Sequence, residues 1–262
     1  MAKVICVVNQ KGGVGKTTTV VNLSASLAAA QKKTLFIDFD PQGNASSGVG
    51  VEKEELESTI YNVILEEATL ENTIMTVYPE LLGGYLSISP SNAELTGAEV
   101  ELIQFEEREW KLKQAIDTVR DKFDYILIDC PPSLSLLTVN ALTASNSVLI
   151  PVQCEYYALE GLGQLQRTIS LIKQRLNPEL SIEGYLLTMF DSRNNICHSV
   201  ADEVRSYFNQ EVFDTIITRN VKLAESPSYG KPLLLYDIKS PGAGNYISLA
   251  NELLEKNSGE RY

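Results

Sequence analysis

Cysteine, histidine and basic residues are scarce in this chain, and each scarcity narrows its chemistry. The four cysteines, Cys6, Cys130, Cys154 and Cys197, stand far apart and form no C-x-x-C pair. That spacing offers neither a zinc site nor a disulfide framework, and it suits a reducing cytoplasm. The one histidine, His198, neighbours Cys197 but has no partner at ligand spacing, which leaves a metal or catalytic role unsupported. Apolar runs fall far short of a membrane span, and no signal peptide opens the chain, so a soluble cytoplasmic protein is expected. The 262 residues contain no Pro/Ser/Gly linker, repeat or low-complexity tract, and their 44% hydrophobic content is enough for a large core. A single domain spanning 1–262 is expected.

The shortage of positive charge is local. The chain carries a formal charge of −12, yet residues 51–110 alone hold fourteen acidic side chains against two basic ones. Residues 161–262 hold eleven basic and twelve acidic side chains and are nearly neutral. A low isoelectric point therefore does not exclude nucleic acid, because what matters is a local basic face. The acidic stretch reads first as solvated helix faces. Its alternative is a docking surface for a basic partner peptide, with Glu99, Glu101, Glu106, Glu107 and Glu109 near a helix ending at Trp110.

What the chain does have is a glycine loop between a strand and a helix. Val4 to Val8 is an apolar run, residues 9–19 read Asn-Gln-Lys-Gly-Gly-Val-Gly-Lys-Thr-Thr-Thr, and Val20, Leu23 and Leu27 follow at helical spacing. Gly12, Gly13 and Gly15 let backbone N–H groups turn inward, and the helix starting near Lys16 points its positive end at the same anion. Lys16 would reach the terminal phosphates and the Thr17 hydroxyl would join a Mg²⁺ shell. The dinucleotide fingerprint G-x-G-x-x-G is excluded, since no six-residue window supplies its three glycines.

Two further segments carry acids at strand ends. Residues 33–38 form an apolar strand that leads into Asp38-Phe39-Asp40-Pro41-Gln42-Gly43-Asn44, and parallel sheets bind ligands just beyond such ends. Residues 124–133, Asp-Tyr-Ile-Leu-Ile-Asp-Cys-Pro-Pro-Ser, read as a buried strand whose Asp129 emerges near the Mg²⁺ site. More strands are expected at Tyr85–Ser89, Ser147–Pro151, Ile182–Met189, Val212–Ile217 and Leu233–Tyr236. Helices are expected near Leu56–Leu65, Ala93–Gln104, Leu134–Ala144, Leu159–Leu176, Ser199–Phe208 and Tyr246–Glu255. This alternation implies an α/β fold with a mostly parallel twisted sheet and helices on both faces.

Position 10 is Gln where the ordinary P-loop has its first glycine, and Lys11 precedes Gly12-Gly13. This K-G-G-x-G-K-T form resembles the deviant Walker A motif of the ParA/MinD group of P-loop NTPases. With D-x-D-P-Q-G-N, D-C-P-P-S and E-S-P-S-Y-G-K-P at 225–232, the chain is similar to the ParA/Soj-type partition ATPases from Lys3 to about Leu254. The resemblance implies that ATP and Mg²⁺ are held by Lys11, Gly12, Gly13, Val14, Gly15, Lys16, Thr17 and Thr18, with Thr17, Asp40 and Asp129 around the metal. It implies that Lys11 crosses a dimer interface to the partner's nucleotide and that Asp40 positions the attacking water. Met189, Thr218 and Asn220 are implied near the adenine, although the family often has proline at the position of Thr218. Arg193, Arg219 and Lys222 are implied on a DNA-facing surface. Function follows as an ATP-bound homodimer on non-specific DNA, nucleoid-associated, and released when a ParB-type activator stimulates hydrolysis. Alternatives remain. A MinD-like membrane-cycling ATPase would need a basic amphipathic C-terminal helix, and 250–262 are acidic and polar. An iron–sulfur carrier would need paired cysteines. A nucleotide-gated DNA-binding regulator with incidental turnover stays open.

Overall fold

The computed structural model describes residues 1–155 and 159–258. Among the described residues seven strands form one sheet: β1 (Lys3–Val7), β2 (Thr34–Asp38), β3 (Met75–Thr76), β4 (Leu86–Ser89), β5 (Tyr125–Asp129), β6 (Ser147–Gln153) and β7 (Ser181–Thr188). Their order is β3-β4-β2-β5-β1-β6-β7, and only the β3–β4 pair is antiparallel. The central strands are apolar at successive positions because both faces of the sheet are covered. In β1, Val4 and Cys6 pack into one core while Ile5 and Val7 pack into the other, as the two-residue strand period requires. Helices Lys16–Ala29 and Pro241–Ser258 supply the second core, and helices Leu136–Ala144 and Asn195–Phe208 supply the first.

Register places the chemistry. Val7 and Asp38 both lie opposite Asp129 on β5, so the glycine loop and the two acidic segments leave the sheet at the same level.

The structure corrects three expectations. Val212–Ile217 is not a strand; Val212 makes an isolated parallel bridge to Tyr185 of β7, and just beyond both segments Thr218 makes another to Phe190. Phe213 and Ile217 N–H groups donate to the Tyr185 and Leu187 carbonyls, but between them the N–H groups of Asp214 and Thr215 donate to the Glu252 carboxylate, at 2.7 and 2.9 Å, which interrupts the ladder. Leu233–Tyr236 is one helical turn: after Pro232 the Leu235 and Tyr236 N–H groups fold back onto the Pro232 carbonyl. No helix ends at Trp110. The helix Leu95–Glu101 passes into a 3-10 turn, Leu102–Gln104, and Trp110 precedes a separate helix, Lys111–Asp117. Glu107 adopts a left-handed φ of 51°, which no continuous helix tolerates.

Candidate nucleotide site

The glycine loop closes over the end of β1. Gly13 and Gly15 take φ values of 74° and 92°, a region where a side chain would be strained. The first helix starts immediately after Gly15 with no side-chain cap, leaving its first N–H groups open to an anion. Asn9 pins the loop: its amide donates to the Pro151 carbonyl at 2.7 Å, and its carbonyl oxygen accepts from Lys11 N–H at 3.0 Å. Val14 is anchored through its carbonyl, which accepts from the Thr188 hydroxyl at 2.9 Å.

Lys16 is folded back into the cradle. Only 7% of its surface is exposed, and its ammonium donates to the Lys11 carbonyl at 3.3 Å. Burial lowers its pKa, while the charges of Asp129 and Asp40 oppose that shift. Asp129 is fully buried at the end of β5, and neither of its carboxylate oxygens has a hydrogen-bond partner among the described residues. Burial raises its pKa well above the usual carboxylate range and the charge of Asp38 adds to this, while the Thr17 hydroxyl, close by but outside hydrogen-bond geometry, and Lys16 work against it. A buried carboxylate with both oxygens open costs free energy unless something cationic meets it. No group of three His, Cys, Asp or Glu side chains is placed to hold a metal ion among the described residues. Thr17 beside an open Asp129 fits Mg²⁺, which keeps waters and takes the rest of its shell from phosphate oxygens.

The two acids of the β2 end differ. Asp38 is spoken for: it accepts from Ser46 N–H and Ser46 hydroxyl, both at 2.7 Å, and from Asp40 N–H at 3.3 Å. Burial still lifts it to about 6. It holds the loop from Asp40 to Ser46 in shape. Asp40, 7% exposed, accepts from Gln42 N–H at 2.9 Å and lies close enough to Asp129 and Lys16 to influence both.

A cavity of about 370 Å³ opens beside the loop, walled by Gly15, Thr18, Met189, Thr218, Asn220 and Tyr246. The three residues expected near the adenine therefore share one pocket with the glycine loop. Met189 has a φ of 52°, unusual for a non-glycine residue and a mark of backbone strain beside a site. Thr218 is engaged, its N–H and hydroxyl both donating to Asn245 at 3.1 and 2.9 Å. Asn220 accepts from Lys222 N–H at 2.8 Å through its side-chain oxygen, as a helix cap. Tyr246 had no signal in the sequence, because nothing local marks a residue brought in from 227 positions away, where its hydroxyl meets that of Thr19.

The residues expected on DNA each lie beside an acid. Arg193 grips Asp191 through two bonds of 3.0 and 2.8 Å, Lys222 meets Glu225 at 2.8 Å, and Arg219 lies 3.8 Å from Glu155. Lys11 reaches the same Glu155 at 3.4 Å. Exposed pairs of this kind contribute little to stability, and phosphate can displace them.

Residues 2–182 match a family model described as an AAA domain. Over 258 residues, 98% of this chain and 90% of the relative, it is 54% identical to the chromosome partitioning protein ParA of Myxococcus xanthus. It is 52% identical to the sporulation initiation inhibitor protein Soj of Bacillus subtilis over 97% of this chain and 98% of that one. Among solved structures, cobyrinic acid a,c-diamide synthase from Mycobacterium smegmatis with bound ADP and magnesium superposes with a TM-score of 0.87. That match has 34% identity and covers 100% of this chain and 97% of the other. With the deviant glycine loop, the level strand ends and full-length identity above one half in hand, the chain belongs to the ParA/Soj family of chromosome-partitioning ATPases.

Proposed function

We propose that residues 1–262 act as one ATPase domain that binds ATP and Mg²⁺, pairs with a second copy, holds DNA without sequence preference in that state, and lets go on hydrolysis. The observation that carries the reading is Asp129, whose open, buried carboxylate stands beside Thr17 at the uncapped start of the first helix. Solved neighbours at 34% identity hold ADP or an ATP analogue with magnesium, which supports the same ligands here. The higher identity to partition proteins favours partitioning over the amidation chemistry in that neighbour's name.

Each residue then has a task. The N–H groups of Gly12 to Thr18 and the Lys16 ammonium would hold the phosphates, with Thr17, Asp129 and Asp40 around the metal. Bound Mg²⁺ would supply charge neutralisation at the phosphates. Lys16, nine-tenths buried, already sits in the low-dielectric setting where its charge counts most. Asp40 would orient the attacking water, and Asp38, itself held by Ser46, keeps Asp40 in place by accepting from its N–H. Met189, Thr218 and Asn220 would enclose the base. Lys11, on the surface, would cross to the nucleotide of a second copy, and loss of the γ-phosphate would remove that contact and open the dimer. Arg193, Arg219 and Lys222 would meet DNA phosphates, two small patches side by side supplying what one cannot. A ParB-type activator would speed hydrolysis.

Membrane cycling is disfavoured. The described part of the C-terminal helix buries Tyr246, Leu249, Ala250 and Leu253 in the core shared with the first helix, so its apolar face is already covered. The test is sizing of wild type and Lys11→Ala with a non-hydrolysable ATP analogue, alongside ATPase rates with and without DNA and the activator. ATP-dependent dimers in the parent alone, with turnover stimulated by DNA and activator, support the proposal. Normal dimers in Lys11→Ala would remove the crossing role, and unstimulated turnover would favour a regulator whose hydrolysis is incidental.

A further inference from the structure

Glu155 stands where the nucleotide loop meets the DNA-facing segment. It follows β6, the strand to which Asn9 ties the glycine loop. Its Oε2 lies 3.4 Å from the Lys11 ammonium, and its Oε1 lies 3.8 Å from the Arg219 guanidinium. Gln153 donates to that same Oε1 at 2.5 Å and steadies the carboxylate between the two cations. One side chain therefore bridges residues 208 positions apart in sequence (219 − 11), the first proposed to reach a nucleotide phosphate and the second a DNA phosphate.

We propose that Glu155 is a positioning residue that restrains Lys11 and Arg219 together in the nucleotide-free chain. A phosphate arriving at either cation turns the carboxylate away and frees the other. The proposal rests on the roles given to Lys11 and Arg219 above. Its physics is short-range repulsion: both cations lie within 4 Å of one carboxylate, well inside the screening length of about 8 Å at physiological salt. A phosphate that neutralises Lys11 therefore places negative charge next to Glu155, and a DNA phosphate on Arg219 does the same from the other side. The coupling runs both ways, since whatever DNA does to dimer formation dimer formation must do to DNA binding. The pairs are partly exposed, with 41%, 50% and 60% of the Lys11, Glu155 and Arg219 side chains accessible, so the restraint is weak enough for a phosphate to break.

The test uses Glu155→Gln, which keeps the shape and removes the charge. Fluorescence anisotropy should show nucleotide-free DNA affinity rising about two- to fivefold at low salt, the range exposed ion pairs support, with the gain fading as salt rises. Sizing with the ATP analogue should show half-maximal dimer at lower nucleotide concentration. The two gains should separate by partner: Arg219→Ala added to Glu155→Gln loses the DNA gain and keeps the dimer gain, while Lys11→Ala added to it does the reverse. A purely structural role for Glu155 would not produce that crossover. Fewer dimers in Glu155→Gln would place the carboxylate in the dimer seam and overturn the proposal, as would no change in either assay. If Lys11→Ala dimerises normally or Arg219→Ala binds DNA as the parent does, the earlier roles fail and this inference falls with them. If those single variants lose function while Glu155→Gln behaves as the parent, only Glu155 is misassigned.

Discussion

Replacing Gly230 by alanine tests whether the loop after Asp40 is locked to the segment that carries Lys222. Gly50 and Gly230 take left-handed φ values of 76° and 61° and pass each other in backbone contact. A Cβ on Gly230 would lie 2.7 Å from Gly50 Cα and 3.0 Å from Gly50 N, atoms that no rotamer change can move. The Tyr78 hydroxyl lies within hydrogen-bond reach of the Val49 and Gly230 carbonyls on the two sides of this seam. The left-handed conformation costs an alanine about 1–2 kcal/mol. Forcing an atom into the seam costs about 1–3 kcal/mol more, so Gly230→Ala should lose about 2–5 kcal/mol. Gly84 supplies the control. Its φ is 76° and a Cβ there meets nothing within 4 Å, so Gly84→Ala should show the conformational cost alone. Urea unfolding of both variants without ligand, at unchanged m value, measures the difference. Equal losses would refute the steric argument and with it the claim that the two loops are locked together.

Lys16→Ala should abolish ATP binding in equilibrium titration, because it removes the buried cation of the cradle. Asp40→Ala should bind ATP as the parent does, fail to turn it over and accumulate as a dimer; parental turnover would end its assignment. Asp38 carries a pH signature. Its pKa is raised from 3.8 to about 6, so the folded chain holds that proton more tightly than the unfolded one. The contribution is full below about pH 4 and is lost as pH rises through about 6, so Asp38→Asn should flatten this part of the stability profile in metal-free buffer. An unchanged profile would place the titration elsewhere. The cysteines should be inert in the native state: all four are buried, and burial pushes the Cys154 thiol up to about 12. Rapid reaction of any of them with a thiol reagent at pH 8 would contradict that packing.

Much of the site was legible because its pieces are local. Strand, glycine loop and helix form one contiguous unit at 3–29, and the acids at 38–40 and 129 directly follow their strands. Their roles depend on spacing within about ten residues, which a sequence displays. Val212–Ile217 was misread because β propensity reports a side-chain pattern and not a hydrogen-bond partner. The Glu252 carboxylate, some forty residues later, takes the Asp214 and Thr215 N–H groups and interrupts the pairing that Phe213 and Ile217 make with β7. Leu233–Tyr236 has the apolar look of a buried strand, yet a turn beginning at Pro232 decides its shape.

The sequence by itself determined the strand, glycine loop and helix at 3–29, the acids that follow β2 and β5, and the family, since each is written in adjacent residues. Tertiary structure alone decided which distant residues meet: Tyr246 and Met189 beside Gly15, Ser46 on Asp38, Gly50 against Gly230, and one carboxylate between Lys11 and Arg219. The reason is that a parallel sheet gathers the carboxyl ends of its strands along one edge through crossovers of tens of residues. Proximity there is set by strand order and register, and no local pattern in the chain records either.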